Sequence, residues 1–410
     1  MHRVVITGLG AVTPLGNDAQ SAFRAAVEGR SAIGPIEFEQ HPDARVRIGG
    51  AVKGFDAAAA IGPKEVHRHA RFTHLVFGAA KEALADSGLR DAGYDPERVG
   101  CILGVGMGGI EVIAQEVRAY DRAGPRKLSP FGIPAAIPNM APGMVAIEAG
   151  ARGPCFCVAS ACASSAHAIG EALESLRRGS TDAVITGGTE SGLNPHGLAA
   201  FERLGALSRR NDAPDRASRP FDRNRDGFVM SEGAAVLVLE TLERAQRRNA
   251  KIYAELAGYG SSSDAFHVTR PSEDGAGMAH AMQLALRSAQ VAAEDVEYIN
   301  AHGTATPSND VAETRAIKQV FGPRAHTVWI SSTKSMVGHM LGGAAAFETV
   351  VAALAIAHGV VPPTLNLDEP DPECDLDYVP HVARERRVRL VLNNSFGFGG
   401  QNAALLLRAV

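Results

Sequence analysis

Cys162 lies where a strand-like run gives way to a helix. Residues 155–158 are apolar, and residues 162–179 carry apolar side chains at helical spacing. These side chains are Ala166, Ile169, Leu173 and Leu176. The first turn of a helix has unpaired N–H groups and a positive dipole end, which favour an anion such as a thiolate. We therefore predict a nucleophilic cysteine with a lowered pKa, although the residues alone equally allow a buried, inert cysteine.

Two histidines occupy similar settings in the second half of the chain. His302 and His339 each follow an apolar, strand-like run and sit in a loop rich in glycine, serine and threonine. The ends of parallel strands are where α/β proteins bind ligands. A cysteine nucleophile with histidine partners can be far apart in the chain, because such groups meet only in space. The polar residues close to these histidines in the chain are Thr304, Thr306, Asp310, Glu313 and Lys334.

A glycine-rich segment, residues 393–402, links the last two predicted strands. Glycines at 397, 399 and 400 let the backbone approach a ligand closely, and exposed N–H groups there can bind a developing oxyanion. Phe396 and Phe398 could wall an apolar pocket. A plain hairpin with buried aromatic side chains remains the alternative.

Composition narrows the class of protein. The 410 residues are 45% hydrophobic and 21% charged with a net charge of −4, which fits a globular chain and gives no support for nucleic-acid binding. Five cysteines are too few and odd in number for a disulfide framework. No membrane span or signal peptide is expected, and a cytoplasmic location is the default.

Short apolar runs alternate with alanine-rich helical segments, a pattern typical of α/β proteins with parallel strands. We expect the first strand over residues 3–7, ending at Gly8, and a later strand over residues 183–186, ending at Gly187. Helices are expected over residues 70–87, 242–249 and 277–290. Further strands are expected over residues 99–105, 234–239, 296–300, 328–331, 388–392 and 403–407.

Two motifs suggest other chemistries. Residues 104–109 match G-x-G-x-x-G after a strand, which leaves a nicotinamide dehydrogenase as a weak rival because the fingerprint normally opens a domain. His67, His69 and His74 lie close together, but interleaved arginines favour a solvated helix face over a zinc site.

The motifs together resemble the β-ketoacyl-[acyl-carrier-protein] synthases, most closely the type II elongating enzymes. Ser-Ala-Cys, Asn-Ala-His-Gly-Thr, Thr-Lys-Ser-Met-Val-Gly-His and Asn-Ser-Phe-Gly-Phe-Gly-Gly occur in family order across the whole chain. The resemblance implies a thiolase-like, five-layered αβαβα fold with two similar halves. We expect residues 1–250 to carry the cysteine and residues 251–410 to carry both histidines.

The resemblance also implies an acyltransferase mechanism. Cys162 would take an acyl group from acyl carrier protein, with the N–H groups of Cys162 and Phe398 as the oxyanion hole. His302 and His339 would then stabilise the enolate formed as malonyl-acyl carrier protein loses CO2, and the product would be a 3-oxoacyl thioester. Lys334 would organise the site, paired with Glu313, and Asp310 would support it. No metal or redox cofactor is implied, since the substrates are carried on phosphopantetheine.

Further positions follow from the resemblance. Thr304 and Thr306 would contact the pantetheine arm, and Phe398 would also act as a gate over the nucleophile. Met107, Gly132, Phe201 and Phe396 would line the substrate-binding region. Met107 and Gly132 replace the usual isoleucine and phenylalanine, so we expect an acyl pocket of different length or shape. Gly205 stands where the family has an arginine for the carrier protein, so the docking candidates are Lys64, Arg68, Arg126, Lys127 and Arg203.

Alternatives remain within the same fold. The chain could be the catalytic ketosynthase subunit of a type II polyketide or polyene pathway rather than a fatty-acid enzyme. A degradative thiolase is disfavoured because the closing loop has no cysteine, and a non-catalytic chain-length factor is disfavoured by Cys162. The resemblance implies a homodimer with the strand before Cys162 near its axis, while a heterodimer with a chain-length-factor-like partner stays open.

Overall fold

The computed structural model describes residues 2–39 and 41–410 of the chain. The strands among these residues are β1 (Val4–Val12), β2 (Gly34–Pro35), β3 (Ile48–Gly49), β4 (Val99–Val105), β5 (Cys155–Val158), β6 (Ala183–Glu190), β7 (Gly233–Thr241), β8 (Ala254–Ser263), β9 (Tyr298–Asn300), β10 (Trp329–Ser331), β11 (Val360–Val361), β12 (Arg384–Glu385), β13 (Leu390–Gly397) and β14 (Gln401–Arg408). The α-helices are α1 (Ala19–Val27), α2 (Ala57–Ile61), α3 (Arg71–Ser87), α4 (Ile110–Ala123), α5 (Gly132–Ala136), α6 (Met140–Ala149), α7 (Ser164–Arg177), α8 (Pro195–Arg203), α9 (Leu242–Arg247), α10 (Ala276–Ala289), α11 (Pro307–Phe321), α12 (Lys334–Val337) and α13 (Ala344–His358).

Ten of the strands form two sets of five with the same internal order. One set runs β5-β4-β6-β7-β1 and the other runs β10-β9-β13-β14-β8. In each set the first three strands are parallel and the last two pair antiparallel. The sets join where β1 pairs with β8 over only two residue pairs, Val5 with Glu255 and Ile6 with Ala254. The chain therefore consists of two similar halves, as the resemblance implied.

The helices form three layers around these two sets of strands. Helices α3 and α6 cover the outer face of the first set, and α10 with α11 covers the outer face of the second. Helices α7 and α13 lie between the sets, contact each other, and each contacts strands of both halves. The five-layered αβαβα arrangement is therefore confirmed. The expected boundary at residue 250 stays a prediction; α9 ends at Arg247 and β8 begins at Ala254.

The central position of α13 explains its composition. The segment Leu341–His358 is apolar and long enough to cross a membrane, but 83% of it is buried inside the fold. A helix that is apolar on all sides is stable only where every side is covered, and here both sets of strands and α7 cover it. The apolar stretch therefore serves as the core of the molecule.

The glycines of β1 and β6 do not end their strands, so the predicted boundaries there are wrong. Strand β1 continues through Gly8 and Gly10 to Val12. A Cβ atom at Gly10 would lie 2.0 Å from the carbonyl oxygen of Ala79, so glycine is needed here for the close packing of α3 on the strand. Strand β6 likewise runs on to Glu190, which carries that carboxylate to the end of the sheet.

Candidate active site

Cys162, His302 and His339 meet in one cavity between the two halves. The cavity has a volume of about 340 Å³, and its lining includes all three side chains together with Phe396 and Phe398. The cysteine comes from the first half and both histidines come from the second. The predicted meeting of these groups therefore occurs in the fold.

Cys162 sits in a single 3-10 turn, Ala161–Ala163, between β5 and the first residue of α7. Ala161 has a φ of 50°, a left-handed conformation that is costly for a residue with a Cβ atom. The hydroxyl of Ser395 donates a 2.9 Å hydrogen bond to the Cys162 carbonyl, which ties this turn to β13. The predicted position at a helix N-terminus is correct.

The predicted lowering of the Cys162 pKa is wrong. Burial raises the pKa of the thiol to about 11. A thiolate loses more free energy when it leaves water than the neighbouring charge and N–H groups return to it. The charge of Lys334 and the backbone N–H groups of Phe398 and Cys162 act in the opposite direction. Those two N–H groups therefore face the sulfur, where an oxyanion hole was expected.

The two imidazoles lie edge to face, with ring centroids 5.5 Å apart and an interplanar angle of 82°. The N–H of Leu341 donates to Nδ1 of His339 at 3.2 Å, so the ring proton of neutral His339 is on Nε2. Burial lowers the pKa of both His302 and His339 well below its usual value, and the charge of Lys334 adds to this. Both rings are therefore neutral hydrogen-bond donors at neutral pH.

Lys334 does not pair with Glu313 as expected; its ammonium group bonds to the carboxylate of Glu348, which projects from α13. Both side chains are only 2% exposed, so each charge depends on the other. Glu313 instead accepts the backbone N–H groups of His302 at 2.9 Å and Gly303 at 2.8 Å. Its role is to hold the loop that carries His302.

Asp310 supports the same loop from another side. Its carboxylate accepts the N–H of Phe221 at 2.8 Å and lies 3.7 Å from the guanidinium of Arg225. That guanidinium also donates to the carbonyl of Thr306 at 3.1 Å. The polar segment 212–227 therefore holds the loop after His302 through buried contacts of Phe221 and Arg225.

The expected substrate-contact residues divide into two groups. Thr304, Thr306, Phe201 and Phe396 line the cavity, and the hydroxyls of the two threonines lie 3.0 Å apart. Met107 packs in the apolar cluster that contains Cys162 but is not among the residues lining this cavity. Gly132 is also outside the lining, and a Cβ atom there would lie 2.8 Å from the Glu116 carboxyl carbon. The proposed difference in acyl pocket stays a prediction.

The glycine fingerprint at residues 104–109 does form a strand, a turn and a helix. However, the carboxylate of Glu190 accepts the N–H groups of Gly106, Met107 and Gly108. In a dinucleotide-binding protein, these N–H groups would bind the phosphates of the cofactor. The protein's own anion already occupies that place, which removes the dehydrogenase alternative. The expected solvated face at His67, His69 and His74 is wrong for His74, which is buried with its Nε2 3.0 Å from the carbonyl oxygen of Val66. The described residues contain no group of three or more metal-ligating side chains.

Sequence analysis missed two buried acids of this site, Glu348 and Glu190. Glu348 is the single charged residue within the apolar sequence 341–357. A lone acid in such a stretch is a signal that it has a buried partner. Glu190 gives no comparable signal, because it lies at the end of a strand after two glycines.

Removing the charge of Glu348 tests the buried ion pair. Glu348→Gln leaves the Lys334 ammonium buried without a counter-ion, so we expect the free energy of unfolding to fall by about 3–5 kcal/mol in urea titrations. The control is Glu373→Gln, which breaks the solvent-exposed pair with Arg315 and is expected to change stability by less than about 1 kcal/mol. Equal effects of the two variants would contradict the assignment.

Known families and structures match the chain over its length. The β-ketoacyl synthase N-terminal domain family matches residues 1–245, and the corresponding C-terminal domain family matches residues 253–368. A 3-oxoacyl-[acyl-carrier-protein] synthase 2 of Synechocystis sp. is 48% identical over 406 residues, covering 99% of this chain and 98% of the relative. Its counterpart from Coxiella burnetii is 47% identical over 409 residues, covering 100% and 99%.

Solved structures agree with the sequence relatives. A β-ketoacyl synthase from Burkholderia phymatum superposes with a TM-score of 0.92 at 36% identity, covering 100% of both chains. The structure of a type II PKS acyl-carrier protein in complex with its ketosynthase matches with a TM-score of 0.92 at 34% identity, covering 100% of this chain and 99% of that one. With the cysteine and both histidines in one cavity, these matches lead to one conclusion: the chain belongs to the β-ketoacyl synthase family.

Proposed function

We propose that this chain catalyses the decarboxylating Claisen condensation of an acyl-enzyme thioester with malonyl-acyl carrier protein, giving 3-oxoacyl-acyl carrier protein in fatty-acid elongation. The observation that carries the proposal is the meeting of one thiol, two neutral imidazoles and two backbone N–H donors in a single buried cavity. Relatives at 44–48% identity are named 3-oxoacyl-[acyl-carrier-protein] synthase 2. The polyketide alternative has less support, since the polyketide ketosynthase structure is 34% identical.

In the first half-reaction, the sulfur of Cys162 attacks the acyl thioester of the carrier. A new C–S bond forms, the carrier's thiol leaves with the proton that the cysteine gives up, and the acyl group stays on the enzyme. The N–H groups of Phe398 and Cys162 stabilise the oxyanion of the tetrahedral intermediate. Because the pKa of the free thiol is about 11, the proton leaves only as the attack proceeds.

In the second half-reaction, the thioester carbonyl of malonyl-acyl carrier protein accepts hydrogen bonds from His302 and from Nε2–H of His339. The C–C bond to the carboxylate breaks, CO2 leaves, and its electron pair forms an enolate that the two donors stabilise. The enolate carbon then attacks the acyl carbonyl on Cys162, and the cysteine sulfur leaves. The buried charge of Lys334 adds to the stabilisation of negative charge here.

Substitution of the nucleophile separates the two half-reactions. We expect Cys162→Ala to abolish condensation, because no acyl-enzyme can form. We expect Cys162→Gln to abolish condensation but still release CO2 from malonyl-acyl carrier protein, measured with labelled malonyl groups. Cys374→Ala, at a buried cysteine in the core of the second half, is the matched control and should leave both activities intact. Elongation by the alanine variant would be incompatible with the mechanism.

The pH dependence of decarboxylation tests the neutral imidazoles. Their lowered pKa means that the neutral donor form persists as the pH falls through 6.5, the usual histidine value. In the Cys162→Gln background, we therefore expect CO2 release to keep most of its rate at about pH 5.5. Adding His339→Ala to this background should remove most of that rate. In the chain that keeps Cys162, the same substitution should leave self-acylation of the cysteine largely intact. Loss of half the rate at about pH 6.5 would mean that an ordinary histidine titrates.

Acyl carrier protein is the substrate carrier in this proposal. The cavity lining includes the exposed residues Leu204 and Arg270 as well as Thr304, Thr306 and Cys162. The threonine hydroxyls are suited to the amides of a pantetheine arm. The docking contribution of the basic residues named above, the independence from a cofactor and the cytoplasmic location stay predictions.

A second copy of the chain is proposed to cover an apolar surface formed by α4, α5, α6 and β5. Strand β5 is the open edge of its set, and such an edge invites pairing with another chain. Large apolar side chains cluster on these elements with high exposure: Val117 at 54%, Tyr120 at 54%, Ile133 at 65%, Ile147 at 75% and Phe156 at 42%. An apolar surface of this kind is typical of an obligate interface.

The dimer is tested by the mass of the purified chain in solution. We expect twice the chain mass by sedimentation equilibrium, and a shift towards monomer for Ile147→Glu, because the glutamate would be buried without a partner. Val382→Glu, at a valine that is 71% exposed in the other half, should leave the mass unchanged. A monomeric wild-type chain would contradict the homodimer and favour a heterodimer with a chain-length-factor-like partner.

A further inference from the structure

Glu190 is a fully buried carboxylate that no cation neutralises among the described residues. It receives backbone N–H groups instead, at 2.8 Å from Gly106, 3.0 Å from Met107, 3.2 Å from Gly108 and 3.4 Å from Gly342. Four N–H donors on one side chain amount to a built anion site, with the protein supplying its own anion. The first three donors follow β4 in the first half, and the fourth belongs to the second half.

Three of the four donors are glycines, and at two of them the carboxylate lies close to where a side chain would begin. A Cβ atom would lie 2.5 Å from Oε2 of Glu190 at Gly106 and 2.9 Å from it at Gly342. Both loops therefore approach the carboxylate more closely than a residue with a Cβ atom at these two positions would allow. The close approach therefore depends on glycine at both of these positions.

Each loop continues directly into the reaction site. Met107 packs in the apolar cluster that contains Cys162. Gly342 follows Leu341, whose N–H holds Nδ1 of His339. Leu341 has a φ of 45° and Ala161 has a φ of 50°, and each begins a 3-10 turn that leads into a central helix. Glu190 thus connects the side of the site that receives the acyl group with the turn that orients His339.

We propose that Glu190 is a positioning residue for condensation, whose carboxylate fixes the loop after His339 against the Met107 loop. Its charge at the same place also acts on the Cys162 thiol. The proposal rests on the condensing function proposed above. Glu190 does not contact the reacting atoms itself; it acts through Leu341 and His339 and through its field at the sulfur.

Two charged side chains, Lys334 and Glu190, act on the Cys162 thiol. Burial is the main reason that the pKa values of Cys162 and of Cys157 on β5 are raised. Lys334 lowers the pKa of Cys162, and the negative charge of Glu190 adds a smaller increase to the pKa of both thiols. Burial raises the pKa of Glu190 itself to about 7, against the effect of its four N–H donors. Above that pH the carboxylate is ionised, so removing its charge must lower the pKa of Cys162.

The first experiment compares iodoacetamide alkylation of Cys162 across pH 7–11 in the wild type and in Glu190→Gln, with mass mapping of the product. An amide of the same shape keeps an oxygen for the shared N–H groups but lacks the charge. We expect the midpoint of alkylation to move to lower pH by about half to one unit. The matched control is Glu82→Gln, which removes a half-buried carboxylate of pKa about 7 that accepts the N–H groups of Ala11 and Ala19 in the first half. This control should not move the midpoint.

The second experiment addresses position rather than charge, in the Cys162→Gln background. Glu190→Asp keeps the charge but draws the carboxylate back by one methylene, so it can no longer span both loops. We expect the turnover number for CO2 release from malonyl-acyl carrier protein to fall about 10- to 100-fold with little change in KM. In the Cys162-containing chain, the same substitution should leave the alkylation midpoint in place.

The outcomes separate the two proposals. If Cys162→Gln alone releases no CO2, the proposed condensing function is contradicted. The alkylation midpoint then tests the role of Glu190 independently. If Cys162→Gln is active, unchanged CO2 release in Glu190→Asp overturns the positioning role. An unchanged midpoint in Glu190→Gln overturns the effect on the thiol.

Discussion

Two buried carboxylates hold the backbone of the loops on which the site depends. Glu190 binds the N–H groups of the loop after β4, and Glu313 binds those of the loop after β9. Strands β4 and β9 occupy the same place in the two halves. A strand that ends in the interior leaves N–H groups without partners, and each must find an acceptor there. The same solution therefore appears in both halves, and it fixes the loops that carry Met107 and His302.

The loss of water around the site determines the protonation state of its reacting groups. Burial raises the pKa of Cys162 and lowers the pKa of both imidazoles, so the reacting groups are neutral before substrate binds. Lys334 is a buried cation whose charge acts on all three reacting groups, and its partner Glu348 stabilises it in the interior. An uncharged nucleophile and two uncharged donors cost less to bury than ions would. Charge then develops only as the reaction proceeds, where the N–H donors and Lys334 are already in place.

The two halves share a fold but contribute different groups to the site. At the start of α7, the 3-10 turn presents Cys162; at the start of α13, the corresponding turn contains Gly342 and follows His339. Helices α7 and α13 pack together between the two sets of strands, so the segments that precede them, with Cys162 and His339, reach the same cavity. One half thus supplies the nucleophile and the other supplies the hydrogen-bond donors. Neither half contains a complete site.

The sequence by itself determined the alternation of strands and helices, the place of Cys162 before a helix, and the two histidine loops at strand ends. These features follow from local spacing, which a linear pattern carries directly. The tertiary structure alone decided the partner of Lys334, the raised pKa of Cys162 and the role of the glycines in β1. Each depends on what lies across the interior: a carboxylate from α13, the loss of water around the thiol, and the backbone of α3. Burial and long-range contact leave no period in the sequence, so such features become visible only when the chain is folded.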